Sequence, residues 1–391
     1  MLTPIITRVY TPEDYGLFTF YLAIASTIAV ISTGRYAMAI VLPKKDKDAF
    51  SLALVSVIIA VVVTLVSLVG LNLFFNYSNG IIRIEWLYLI PLFILFSGIV
   101  ETFKLLSNRF KHYRELSNAA LIQSVSSNGI SLISGLAGIN YIGLILGQLL
   151  SLFFTICYLI NVNLKSIKTK VNHTWEDVKS IAKTYKDMPL YNSLHALMDM
   201  VMVNGTILLL SLFFGPTVVG LYGFTIRLLK APISLVGQAV SKVYMQKASS
   251  LSNDNMSIKP LFLKIITRLL LVSLPFFTVL FFWGEVIFGY VFGSSWSTAG
   301  LYAQILTPWL FFNFIAAPLA QTFVILGKQR QAFYFSVVQS LLFLTGVLVG
   351  GYILKDPVLT MVIISSIGSL TTIYFIVWLY KLCNNCNLSQ K

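Results

Sequence analysis

Two cationic residues, Arg227 and Lys230, lie inside a long apolar stretch and could bind an anion. The same helical face continues with polar residues, Ser234, Gln238 and Ser241. A cation at the centre of a membrane-spanning helix costs about 2.5–3.5 kcal/mol, so each one needs water, a partner or a ligand. The stripe therefore predicts a cationic wall on a water-filled cavity, beside a kink at Pro232. The alternatives are an internal ion pair, or a Lys230 side chain that extends along the stripe to the membrane surface.

An acid and an imidazole, Asp199 and His195, share one face of the preceding apolar stretch. A carboxyl group and a histidine at this spacing could pass a proton or hold a coupling ion. Alternatively, Asp199 neutralises Arg227 or Lys230 on the next helix. Both readings stay open at this point.

Arg35 lies about seven residues from the basic end of its apolar stretch, within Gly34-Arg35-Tyr36. It could contact an anionic substrate, or extend to the nearby membrane surface. Glu101 and Lys104 are three residues apart, a spacing that favours an ion pair at the end of a helix.

These residues are embedded in a chain that is predicted to be almost entirely membrane-spanning. It has 391 residues, of which 57% are hydrophobic and 11% charged, and its mean hydropathy is +0.83. A spanning helix needs roughly 20 apolar residues, and the runs are too long and too continuous for barrel strands. We predict an all-α integral membrane protein with spans near 15–42, 49–75, 86–106, 118–137, 141–162, 189–213, 217–241, 265–290, 299–326, 332–354 and 357–381.

The cations cluster in every second loop, which predicts the cytoplasmic side. Only Arg8, Arg83 and Lys355 fall in the alternate gaps, and the tail with Lys381 and Lys391 is then cytoplasmic. With eleven spans, Met1 would lie outside, so we expect a first helix to be mostly missing and the complete protein to have twelve. The basic loops contain Lys44, Lys45, Lys47, Arg109, Lys111, Arg114, Lys165, Lys168, Lys170, Lys179, Lys183, Lys186, Lys242, Lys247, Lys259, Lys264, Lys328 and Arg330.

The two halves of the chain carry matching motifs. Pro12-Glu-Asp-Tyr-Gly16-Leu-Phe and Pro216-Thr-Val-Val-Gly220-Leu-Tyr each open a span, and Gln123 and Gln339 occupy similar triplets later in each half. We predict two six-helix lobes related by a parallel repeat, a plan in which the binding site lies between lobes. The lobes would be 1–163, with its first helix truncated, and 189–391. The linker 164–188 is predicted to contain a cytoplasmic amphipathic helix, because Trp175, Val178, Ile181 and Ala182 recur at helical spacing.

The sequence lacks the motifs of several classes of function. The sequence lacks a phosphate-binding GxxxxGK[ST] loop and any recognisable nucleophile–base set, and its outer loops are too short for a catalytic domain. We therefore expect no enzymatic activity, no cofactor and no resident metal. The dispersed loop cations also argue against a nucleic-acid partner. A lone pair of cysteines, Cys383 and Cys386, supplies too few ligands for a structural zinc site.

Three segments resemble one transporter family. Residues 2–18 (LTPIITRVYTPEDYGLF), 34–43 (GRYAMAIVLP) and 220–232 (GLYGFTIRLLKAP) with Val236-Gly-Gln-Ala-Val are similar to Wzx-type flippases. These are polysaccharide exporters of the MOP superfamily, which move lipid-linked sugar repeat units across the bacterial inner membrane. The resemblance implies alternating access and a multi-pass location in that membrane, for polysaccharide synthesis of the O-antigen and lipopolysaccharide kind.

The same resemblance implies the cargo and the partners. The cargo would be an undecaprenyl-diphosphate-linked oligosaccharide. The charges agree independently, because Arg35, Arg227 and Lys230 could neutralise a diphosphate by charge-assisted hydrogen bonds. Gln238 is a further candidate for substrate binding or translocation. Asp199 and His195 would be candidates for ion or proton coupling. Membrane lipids, a polysaccharide polymerase and glycosyltransferases would be its neighbours. One alternative is a multidrug or organic-cation exporter of the same superfamily. Such an exporter would need acidic cavity residues, and this chain has one clear mid-membrane acid, Asp199. The other alternative is a membrane polysaccharide polymerase.

Overall fold

The computed structural model describes residues 3–77, 85–167, 174–254 and 256–385. The predicted loop cations Arg83, Lys168, Lys170 and Lys391, and the tail residue Cys386, lie outside these ranges. Over the described ranges the chain is helical and contains no strand. The helices are α1 (Thr3–Val9), α2 (Pro12–Ala29), α3 (Tyr36–Ala39), α4 (Asp46–Tyr77), α5 (Ile90–Arg109), α6 (Tyr113–Leu136), α7 (Tyr141–Ile167), α8 (Trp175–Thr184), α9 (Ser193–Asn253), α10 (Lys259–Phe292), α11 (Ser297–Leu319), α12 (Gln321–Ile325), α13 (Gln329–Leu348) and α14 (Pro357–Asn385).

The helices confirm the predicted all-α membrane architecture. Within the described residues, eight are long and apolar enough to cross a membrane. One of these, Met188–Ser252, contains two of the predicted spans, 189–213 and 217–241. The predicted spans 15–42 and 118–137 are also helical, as α2 with α3 and as α6, but they are not among the eight.

Glycines mark two breaks in the long helices. Gly34 (φ 54°) and Arg35 (φ 57°) are left-handed and separate α2 from α3 inside a predicted span. Gly215 (φ 78°) divides α9, and Pro216 then opens the second segment, where its fixed φ and missing N–H suit a helix start. Pro232 lies within the helical second segment of α9, and the kink predicted there stays a prediction.

Contacts divide the chain into two compact units. The first comprises 1–10 and 17–205, and the second comprises 11–16 and 206–391. Residues 189–205 thus group with the first unit, whereas the repeat assigned them to the second lobe. The lobe boundaries drawn from the repeat stay a prediction.

In the first unit, α5 packs against α4 and α7, α6 packs against α7, and α1 packs against α6. The amphipathic helix predicted in the linker forms as α8. Thr174 and Asp177 make a reciprocal capping box at its start. Val178 is buried in a core with Phe50 and Val55 of α4, and Lys47 Nζ lies 2.7 Å from Asp177 Oδ2. Val178, Ile181 and Ala182 of the apolar face are therefore covered by protein, whereas Trp175 is 69% exposed.

In the second unit, α11 is the central helix and packs against α10 and α14, while α13 packs against α14. Gly284 and Gly300 allow the backbones of α10 and α11 to approach closely: a Cβ added at Gly300 would lie 2.4 Å from the Gly284 oxygen. Small residues at such crossings are typical of membrane helix packing.

Candidate functional site

Arg227 lies on the second segment of α9 with its side chain exposed. Its Nη1 donates a hydrogen bond to the Tyr15 hydroxyl at 3.1 Å. The Tyr15 ring packs edge-on against Phe224 and Trp296, with centroid distances of 5.5 and 5.7 Å. The guanidinium is therefore held by an aromatic cluster and still has N–H groups that can bind an anion.

The two matching Pro-x-x-x-Gly motifs place Tyr15 beside Arg227. A Cβ added at Gly16 would lie 1.7 Å from the Pro216 oxygen, and one added at Gly220 would lie 1.8 Å from the Pro12 oxygen. The contact is reciprocal: each glycine faces the proline carbonyl of the other motif. The start of α2 and the start of the second α9 segment thus cross backbone against backbone, which only glycine allows at this separation.

Lys230 has a different aromatic partner. Its Nζ lies 5.5 Å from the centroid of the Trp309 ring on α11, a cation–π distance. Trp309 is buried, at 7% exposure. It packs against Phe343 at 4.9 Å and against Gly368, where an added Cβ would lie 2.4 Å from the indole. The ring is thus fixed by α13 and α14.

Arg227 and Lys230 form no ion pair with the described residues of the second unit. Among the described residues of the second unit, no carboxylate lies within 4.0 Å of either cation, so an internal ion pair is not seen there. Ser234 and Gln238 continue the exposed face along the helix. Because bare cations facing hydrocarbon are costly, this face is expected to meet water or an anionic ligand.

In the first unit, Arg35 sits at the left-handed break between α2 and α3. Its Nη1 lies 3.8 Å from Glu101 Oε1, and its Nε is buried without a hydrogen-bond partner in the described chain. A left-handed non-glycine residue costs on the order of 1–3 kcal/mol, a strain often found at functional positions. The predicted pair between Glu101 and Lys104 is wrong: Lys104 Nζ instead donates to Gln123 Oε1 on α6 at 3.0 Å. The two side chains diverge because Glu101 faces the break and Lys104 faces α6.

His195 and Asp199 lie in contact one turn apart on the first segment of α9. Nδ1 of His195 lies 3.1 Å from Oδ2 of Asp199, and the two side chains are 55% and 53% exposed. Nearby on this helix, Asn204 donates to Ser26 and Thr27 of α2 at 3.1 and 2.8 Å. These bonds fix the helix that carries the pair. The alternative role of Asp199, as a neutralising partner of Arg227 or Lys230, stays a prediction.

Sequence reasoning missed Tyr15 and Trp309. Trp309 carried a signal, because it lies mid-span whereas membrane tryptophans favour the interfaces. Tyr15 was inside a recognised motif, but its partner is 212 positions away. Within the described ranges, no group of three His, Cys, Asp or Glu side chains could hold a metal ion.

Comparisons with known proteins give a family and a fold. A family profile described as "Polysaccharide biosynthesis protein" matches residues 5–300. No curated protein matches the chain. The solved structures that share the fold include an inward-facing multidrug resistance MATE family transporter of the MOP superfamily, with a TM-score of 0.71 and 13% identity over 100% of this chain and 95% of that one.

Two further structures share the fold. The lipid II flippase MurJ in an inward closed conformation has a TM-score of 0.71 and 16% identity over 99% of this chain and 87% of that one. A MOP superfamily transporter from Pyrococcus furiosus, described as having a binding pocket of reverse polarity, has a TM-score of 0.62 and 14% identity over 98% and 91%. At these identities the likeness establishes the fold alone.

Proposed function

We propose that this chain, which belongs to the polysaccharide biosynthesis protein family, is a flippase for a lipid-linked oligosaccharide. The cargo would carry its glycan on undecaprenyl diphosphate, and the chain would move it across a bacterial inner membrane. The family and the fold support a transporter of polysaccharide synthesis. The resemblance to Wzx-type flippases implies this cargo, and the charges inside the membrane support it independently.

The single observation that carries the proposal is the pair of cations Arg227 and Lys230, which form no ion pair with a described carboxylate of the second unit. A diphosphate group offers several anionic oxygens close together, which suit a guanidinium and an ammonium one helical turn apart. Tyr15 and Trp309 orient the two cations without neutralising them. A site for organic cations would instead present carboxylates.

Arg35 and Gln238 have supporting roles in this proposal. Arg35, in the first unit, is a further candidate contact for the cargo. The Gln238 amide donates to a phosphate or sugar oxygen along the same stripe as Arg227 and Lys230. By alternating access the headgroup would enter from the cytoplasmic side and leave on the other. Glycosyltransferases would supply the cargo and a polymerase would consume it.

The test of the function is export of polymer by variants at Arg227. Arg227→Ala removes charge-assisted hydrogen bonds, each worth about 1.5–3 kcal/mol, so we expect export to fall roughly tenfold or more. Arg227→Lys keeps the charge and should retain part of the activity. Export is measured as surface polysaccharide in cells that depend on this chain, with protein levels quantified in the membrane.

Arg114→Ala is the matched control, because Arg114 is an exposed cation in the first turn of α6. It should leave export unchanged. Full export by Arg227→Ala at normal protein levels would contradict the proposal. A change in resistance to cationic drugs, with unchanged polysaccharide, would favour the multidrug exporter instead.

A further inference from the structure

A cavity of about 220 Å³ lies within the second unit, among α11, α12, α13 and α14. It is separate from the cations of α9, none of which lines it. We call it the α13 cleft. Its lining consists of Asn313, Ala316, Ala317, Ala320, Phe323, Ala332, Phe335, Ser336, Gln339, Thr372 and Phe375.

One wall of the α13 cleft is aromatic. Phe375 packs against Phe335 at 4.8 Å and against Phe323 at 5.6 Å. Trp378 lies behind Phe323 at 5.1 Å. The lining residues that α11 contributes include Ala316 and Ala317, whose small side chains leave room in the cleft. A flat group with an apolar face would fit against this wall.

The other wall is polar and uncharged. It contains the amides of Asn313 and Gln339 and the hydroxyl of Ser336. Gln339 is held in place by its hydrogen bond to the Thr371 hydroxyl at 3.0 Å. Thr372 also lines the cleft and is 3% exposed, yet its hydroxyl oxygen has no hydrogen-bond partner within the described chain. A buried hydroxyl of this kind ordinarily costs stability unless a ligand or water completes it.

We infer that the α13 cleft binds one sugar ring of the cargo, an inference that rests on the proposed function. A pyranose has a face of C–H groups that can lie on the aromatic wall and a rim of hydroxyls that can bond to amides and hydroxyls. No charged side chain is among the lining residues, so the cleft does not suit a diphosphate. The polar wall disfavours a lipid tail, since that tail would leave the amides unpaired.

The size of the cleft limits what it can take. An engineered cavity of about 150 Å³ binds a benzene ring, and the α13 cleft, at about 220 Å³, is somewhat larger. That is room for a single ring, and not for a complete repeat unit. The site would therefore select one sugar residue, while the cations of α9 act on the diphosphate.

The direct test is binding of methyl glycosides to the full chain in lipid nanodiscs, followed by saturation-transfer difference NMR. The probes are the methyl glycosides of glucose, galactose and N-acetylglucosamine. We expect at least one to show transfer to its ring protons. Gln339→Leu replaces the amide by an apolar side chain of about the same size. The loss of one hydrogen bond should weaken binding of that probe about three- to tenfold.

Gln331→Leu is the matched control, because Gln331 is on the same helix, is exposed and does not line the cleft. It should bind as the native chain does. Ala317→Phe fills the space and should abolish transfer even if Gln339→Leu folds poorly. Equal transfer in the native chain, Gln339→Leu and Ala317→Phe would overturn the inference, as would no transfer from any probe.

The two proposals can fail separately. If the cleft binds sugar but the chain does not export polysaccharide, glycoside binding will still depend on Gln339, and the cleft inference stands. If the chain exports polysaccharide while Gln339→Leu and Ala317→Phe export it normally and no glycoside binds, the flippase stands and the cleft inference is wrong.

Discussion

At the scale of single residues, Arg227 and Lys230 are distinguished by their aromatic partners. Arg227 donates a hydrogen bond to the Tyr15 hydroxyl at 3.1 Å, which uses one of the five N–H donors of the guanidinium. Lys230 lies over the face of an indole, which attracts its charge and leaves its three N–H donors available. Neither the Tyr15 hydroxyl nor the Trp309 indole is an acid that would pair with these cations in place of a ligand.

The pair of His195 and Asp199 leads to a prediction on coupling. If the pair relays a proton, Asp199→Asn should remove the pH dependence of transport, because an amide cannot take up the proton. Transport of lipid-linked oligosaccharide into the lumen of vesicles, measured over a range of pH, checks this. Asp254→Asn, at an exposed acid just after α9, should leave the pH profile unchanged. An unaltered profile in Asp199→Asn would instead favour a charge-pairing role.

At the scale of helices, the crossing of the two Pro-x-x-x-Gly motifs is a close backbone contact. Gly220→Ala would put a methyl group against the Pro12 carbonyl, at 1.8 Å before any adjustment. We expect a clear loss of thermal stability in the purified protein, because backbone atoms of α2 must move to relieve the clash.

Gly237→Ala is the matched control for this crossing. Gly237 lies on the same segment of α9, and a Cβ there would meet nothing within 4 Å. Since alanine favours a helix over glycine by about 1 kcal/mol, this change should be neutral or stabilising. Equal melting temperatures for Gly220→Ala and the native chain would show that the two crossing helix starts can move apart without a loss of stability.

Helix α8 leads to a prediction on pH outside the membrane spans. The hydrogen bond from Lys47, together with those from Thr174, lowers the pKa of Asp177 well below its ordinary value. A lowered folded pKa means that the ionised carboxylate stabilises α8 above the pKa of the unfolded chain, about 4. That stabilisation is lost as the pH falls through the folded pKa.

Asp177→Asn should therefore weaken the protection of α8 backbone amides from hydrogen exchange at neutral pH. That protection should also depend less on pH under acidic conditions than it does in the native chain. Hydrogen exchange of residues 178–184 in the native chain and the variant, corrected for intrinsic rates, measures this. Glu176→Gln, which changes the adjacent acid of the same turn, should behave like the native chain. Identical protection in Asp177→Asn would mean that apolar packing of Val178 alone holds α8 in place.

At the scale of the whole molecule, the charge distribution predicts the orientation in the membrane. Basic loops place Ser257 on the cytoplasmic side and Gly138 on the other. In a chain with its native cysteines replaced by serine, Gly138→Cys should react with a membrane-impermeant maleimide in intact spheroplasts. Ser257→Cys should react only after the membrane is opened. The reverse pattern would overturn the assigned orientation and with it the proposed direction of transport.

Much of the architecture was predictable from the sequence, because it depends on local physical chemistry. Apolar runs of spanning length must form helices when no water can satisfy the backbone. The capping residues Thr174 and Asp177 and the spacing of Val178 specify α8 within ten residues of chain. The Pro-x-x-x-Gly repeat was also visible, since it depends on local spacing alone. These features need no knowledge of distant contacts.

The partners within the candidate site were decided only by the tertiary structure. Arg227 donates a hydrogen bond to Tyr15, which is 212 positions away in the chain. Glu101 pairs with Arg35, whereas helical spacing predicts Lys104 as its partner. The α13 cleft requires side chains from four helices to converge. Sequence determined that the helices span and that their cations need anions or water. Which side chains hold those cations depends on how the helices pack, a property that no single helix encodes.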